Sequence, residues 1–164
     1  MEDCCPSLVF PLNKTVLKDH IKEIRPIIIW AFLLNTIWEF GQCVFLYDMW
    51  DWPFWKATFW MWAAIIGDVF IVLGLWKITE FIFSPVNFKK LKLKDYLYLI
   101  FISFIASIVL EWTAKFLELW TYSDLMPVLI IFDYEVGLSP IIQITFLPAL
   151  SVYISVNRSH LLNP

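Results

Sequence analysis

Asn35-Thr36-Ile37-Trp38-Glu39-Phe40-Gly41-Gln42 places an acid and two amides in the middle of an apolar run, and the rest of the chain is best read outward from it. Asn35, Trp38, Glu39 and Gln42 follow an i, i+3, i+4, i+7 spacing and so share one helical face. A carboxylate at that depth is costly to ionise without partners. It either keeps its proton or faces other polar groups inside the protein.

The chain has 164 residues, enough for one domain, and 60% of them are hydrophobic with a mean hydropathy of +0.72. That is well above the apolar content of soluble proteins, so the composition predicts an integral membrane protein. Ten Trp against four Gly favour rigid aromatic surfaces and interfacial belts over close packing on small residues. A net charge of −3 argues against a nucleic-acid partner. Cys4, Cys5 and Cys43 match neither zinc nor CxxC redox spacing, and an adjacent pair is a poor candidate for a mutual disulfide. Acids together with Pro6 and Pro11 occupy the first 25 residues, and no apolar segment ends there in a small-residue cleavage site, so no signal peptide is expected.

Four spans are expected, at about 26–47, 57–79, 96–117 and 139–156, in an all-α bundle. Residues 14–25 fit a short helix on the membrane surface or a soluble tail, with Pro26 opening the first span. Residues 126–138 are too short and too interrupted to cross and fit an interfacial or re-entrant segment. Ser139-Pro140 then suits the N-cap and first position of the last helix. If 1–25, 77–95 and 157–164 are cytoplasmic, only Lys56 and Lys115 of the twelve Lys and Arg lie outside. The positive-inside rule therefore puts both termini in the cytoplasm.

With 1.5 Å of rise per residue, this topology places Glu39 roughly 12 Å, Asp68 roughly 16 Å, Glu111 roughly 9 Å and Gln143 roughly 6 Å below the outer ends of their spans. All four spans thus bring a polar group to the outer half of the bilayer. The expected site is a pocket with Glu39, Asp68 and Glu111 as catalytic acids, with Asn35, Gln42, Tyr122 and Gln143 as polar substrate-binding groups, and with Trp38 and Trp112 as walls. The alternative is that these groups only tie the bundle together, with Glu111 paired to Lys115 one turn on. Acids so close repel when ionised, so at least one should hold its proton. A protonated carboxyl in a Trp-lined pocket is a general acid for an alkene, epoxide or carbonyl of a lipid, and indole faces stabilise developing positive charge. The same acids would serve a proton-coupled transporter.

His20 and His160 both fall in the cytoplasmic flanks, which leaves haem and His-rich di-iron sites without ligands. No Gly-rich phosphate loop or nucleophile elbow is present. No metal and no other cofactor is expected.

Asn35-x-x-Trp38-Glu39-x-x-Gln42, Gly67-Asp68, Glu111-Trp112, Trp120-x-Tyr122-Ser-x-x-Met126-Pro127 and Gly137-Leu-Ser-Pro140-x-x-Gln143 together resemble a group of small four-span bacterial membrane proteins without known activity. That resemblance implies a four-helix bundle in a bacterial cytoplasmic membrane. Asn35-x-x-Trp38-Glu39 alone is similar to a motif of the membrane-embedded terpene cyclases, enzymes with more spans than the four expected here. It implies a place for Glu39 in acid machinery acting on an isoprenoid-like lipid. Three readings follow: an acid-catalysing lipid cyclase or isomerase, a small proton-coupled transporter or channel that forms a homo-oligomer, and a non-catalytic lipid-binding or accessory subunit.

Overall fold

The computed structural model describes residues 14–49, 51–83, 91–132 and 134–162. Four helices carry the architecture: α1 (Lys14–Leu46), α2 (Phe54–Phe83), α3 (Leu93–Phe116) and α4 (Leu138–Leu162). Strands β1 (Val128–Ile131) and β2 (Tyr134–Gly137) form one antiparallel hairpin between α3 and α4, with Val128 opposite Gly137 and Ile131 opposite Tyr134. Three helical stretches, Phe54–Phe83, Leu93–Phe116 and Leu138–Arg158, are long and apolar enough to cross a membrane. Their outward surfaces suit lipid, with Phe59, Phe70 and Phe101 all exposed.

Three sequence expectations change. The chain does not break at Pro26: α1 runs through it as a single 33-residue helix, so there is no separate surface helix over 14–25. Proline removes one backbone hydrogen bond and crowds the preceding turn, which bends a helix but need not end it when the flanks are strongly helical. Residues 126–138 are neither helical nor featureless, so the fold is not purely α. Their β-branched and aromatic residues pair across a turn in which Phe132 adopts φ 52°. The helix after the hairpin starts at Leu138, one residue before the expected cap, and the Ser139 hydroxyl points across the bundle to Gln42.

Packing divides the bundle into two ends. Away from the hairpin, Ile27 and Ala31 of α1, Val72 and Trp76 of α2, Leu99 of α3 and Val152 of α4 form an apolar core. Near the hairpin, the buried faces carry polar side chains instead. Backbone contacts close this second end: Asp48 N–H donates to Thr121 O at 3.1 Å and Ser123 N–H to Leu46 O at 3.0 Å. Helix α3 stops in a Schellman arrangement, with Glu118 at φ 52°, Glu118 N–H on Lys115 O and Leu119 N–H on Ala114 O. That sharp stop turns residues 119–127 back over the bundle.

Candidate functional site

Buried beneath that loop is a network drawn from three helices. On α1, one helical face holds Asn35, Glu39, Gln42 and Cys43, all buried. The Gln42 amide is saturated: its Nε2 donates to Glu39 Oε1 at 2.6 Å and to Gln143 Oε1 at 2.8 Å, while its Oε1 accepts Trp38 Nε1 at 3.0 Å and Ser139 Oγ at 2.8 Å. Four partners for two hydrogens and two lone pairs leave it one orientation.

Gln143 of α4 is the hub. Its Nε2 lies 2.8 Å from Glu39 Oε1, 2.7 Å from Asp68 Oδ2 and 3.0 Å from Asn35 Oδ1. Three acceptors compete for two hydrogens, so one must be satisfied otherwise. The Glu39 and Asp68 carboxyls thus converge on one amide nitrogen.

The two acids are dressed differently. Glu39 is 4% exposed and accepts from Gln42, from Gln143 and, on its other oxygen, from Cys43 Sγ at 3.1 Å. Asp68 is only half-buried and receives its one amide hydrogen bond from Gln143. Glu39 is thus enclosed by donors, whereas Asp68 faces open space.

That space is a cavity of about 340 Å³. Glu39, Gln42, Asp68, Glu111 and Gln143 line it together with Cys43, Tyr47, Met49, Met61 and three tryptophans, Trp52, Trp60 and Trp120. Asn35 sits behind Gln143, out of the lining. The two tryptophans expected as walls are elsewhere. Trp38 holds Gln42 from the side, and Trp112 packs against Phe132 and Tyr134 of the hairpin, with ring centroids 5.9 and 6.3 Å away. Nothing in the spacing around Glu39 marked the indoles that do form the wall, because they arrive from the connectors and the start of α2.

Glu111 faces the same cavity but belongs to a second group. It accepts the Tyr122 hydroxyl, and Tyr122 in turn accepts Gly137 N–H at 3.1 Å. Burial, reinforced by the hydrogen bond to Glu111, pushes the Tyr122 phenol above its ordinary value, so it stays a donor. Lys115 does not pair with Glu111: its ammonium lies 4.0 Å over the Tyr122 ring, and among the described residues the one ion pair is Lys77–Glu80. Glycine suits this position, since a Cβ would stand 3.1 Å from both Tyr122 and Pro140 and one of them would have to shift. Tyr122 therefore joins the hairpin, the loop and α3 at one point.

No group of three or more His, Cys, Asp or Glu suited to a metal ion occurs among the described residues. No family model matches the chain, and neither does any curated protein or solved structure.

Proposed function

We propose that this protein is an intramembrane enzyme that works by acid catalysis on a hydrophobic, isoprenoid-like lipid, as a cyclase or isomerase. The observation that carries the reading is the convergence of Glu39 and Asp68 on the Gln143 amide at the edge of a Trp-walled cavity. Asp68 gives its proton to one carbon of an alkene, forming a C–H bond from the π pair and leaving a cation on the neighbouring carbon. The indoles of Trp60 and Trp120 in the lining would stabilise that charge, whereas the Trp52 ring already holds the Lys56 ammonium 3.9 Å from its centroid. Loss of a proton from an adjacent carbon to the carboxylate completes an isomerisation. Attack by a second alkene before that loss forms a C–C bond and closes a ring. Neither route needs an oxidant, a reductant or a co-reactant. Glu39, held by three donors, keeps Asp68 and its proton in place.

In this reading α1 crosses the membrane along with the other three helices, both termini are cytoplasmic, and the protein sits in a bacterial cytoplasmic membrane. The site then lies in the outer half of the bilayer, with the hairpin and the 118–127 loop at the outer surface. Glu111 and Tyr122 hold that loop over the cavity and place no group on the reacting carbons.

The test is conversion of a bacterial lipid extract in D₂O by the purified protein. A product carrying solvent deuterium should form with wild type and fall by at least about two orders of magnitude with Asp68→Asn, the range lost with a general acid. Wild-type rates in Asp68→Asn and Glu39→Gln would refute the assignment. No conversion by wild type, with pH-dependent proton flux in liposomes, would favour the transporter.

A further inference from the structure

The cavity adjoins a second hollow on the outside of the helices. This hollow, of about 490 Å³, runs between α2 and α3, and two of the residues that form it, Ile71 and Leu110, also line the polar cavity. Ile71 lies one turn from Asp68, and Leu110 directly precedes Glu111. From there the groove runs away from the hairpin end, over Gly74 and Ile78 on α2 and over Ala106 and Ile102 on α3. Seven residues of helix make it about 10 Å long, parallel to the helices and so to the chains of a surrounding bilayer. Gly74 keeps it open, with nothing within 4 Å of where its Cβ would be. Every described residue lining the groove is apolar or glycine.

The polar end has a sign. Four acids, Glu39, Asp48, Asp68 and Glu111, line the cavity, and among the described residues no Lys, Arg or His does; Lys56 and Lys115 lie over the Trp52 and Tyr122 rings, outside the lining. A phosphate or diphosphate would meet carboxyls on several sides and no cation in the described lining, an unfavourable arrangement. An uncharged hydroxyl would find partners in the Asp68 carboxyl and in Gln143 Oε1, which accepts one hydrogen bond, from Gln42, while the Gln143 hydrogens are already taken.

We propose that the ligand is an uncharged amphiphile with a single long apolar chain, whose polar end sits at Asp68 and Gln143 and whose chain leaves through the α2–α3 groove. This deepens the reading of the cavity as a lipid site and rests on it. The lipid enters sideways from the bilayer, and phosphorylated lipids are rejected by charge.

The experiment uses the full-length protein in nanodiscs with farnesol carrying a photoactivatable diazirine in its chain. Cross-links are expected on α2 and α3 at the groove, displaced by unlabelled farnesol and not by farnesyl diphosphate. Gly74→Trp and Ala106→Phe fill the groove from opposite walls and should each lower the labelling by about tenfold, the scale expected when a few methylenes lose their site. If one of them fails to fold, the other variant and the wild-type map still decide. Labelling spread evenly over the outer surface, labelling unchanged in both folded variants, or equal displacement by the diphosphate would overturn the proposal. Asp68→Asn separates it from the acid mechanism: groove labelling retained with conversion retained refutes only the acid role, whereas conversion lost in Asp68→Asn with labelling insensitive to Gly74→Trp refutes only the groove.

Discussion

Replacing Gln143 with leucine removes the one side chain that joins α4 to both α1 and α2 at the site. The side chain accepts one hydrogen bond, from Gln42, and supplies two hydrogens to Glu39, Asp68 and Asn35. Interhelical hydrogen bonds in membranes contribute about 0.6 kcal/mol on average and up to about 1.7, so three bonds give about 2 kcal/mol and at most about 5. The upper part of that range applies because the substitution strands buried acceptors, which raises the cost. Reversible unfolding by SDS, followed through the fluorescence of the ten Trp, reads this directly. Gln143→Glu should do more damage than Gln143→Leu at neutral pH, since it removes both hydrogens and adds a third carboxyl. Acidification, which supplies protons to that cluster, should bring the Glu variant back towards wild type and leave the Leu variant where it is. A Leu variant within about 0.5 kcal/mol of wild type would refute the hub role of Gln143, because that is no more than a neutral surface change.

Gly137→Ala should cost about 1–3 kcal/mol, the range for an overpacked buried position, and should disrupt the Tyr122–Glu111 contact, because its Cβ meets Tyr122 and Pro140 at 3.1 Å; thermal unfolding in detergent checks this. Tyr122→Phe should lower stability by about 1–3 kcal/mol by the same assay. The phenol is pushed up in the folded protein, so its contribution is complete below its ordinary value of 10.0 and is lost as pH rises above it, which predicts a wild-type stability that declines at alkaline pH and a Phe variant that declines less. Glu118→Gly should stabilise by about 0.5–1 kcal/mol, since glycine takes φ 52° without the Cβ penalty, as measured by SDS unfolding. Cysteines placed at the exposed Asp51 and Asp124 should react with an impermeant thiol reagent from outside the cell, and one at the exposed Lys94 should not; labelling only at Lys94 would reverse the proposed orientation.

Much of the site was legible because buried polar residues stand out against an apolar background. Asn35, Glu39 and Gln42 could be placed on one face by spacing alone, and Gln143 and Asp68 by depth, since helical rise is a fixed quantity. What the spacing could not carry was everything built by chain reversal. Trp52, Trp60 and Trp120 reach the cavity through the connector after α1, the first turns of α2 and the loop after α3, whose paths depend on contacts such as Asp48 with Thr121. The same holds for Tyr122, whose partner Gly137 lies across a hairpin that an apolar run interrupted by charges did not announce. Pro26 misled for the opposite reason. A local rule about helix ends was outweighed by the helical context on both sides. Ser139 misled in a similar way, because a hydroxyl beside a helix start suits a cap but is also free to reach the buried Gln42 amide.

The most direct test of the central claim is mass spectrometry of the lipids that co-purify with wild-type protein and with Glu39→Gln, a nearly isosteric change that removes the acid sharing the Gln143 amide with Asp68. The proposed function predicts one uncharged isoprenoid-like species enriched on the variant, and its isomer or cyclised product on the wild type. Bulk phospholipid alone on both proteins would contradict it.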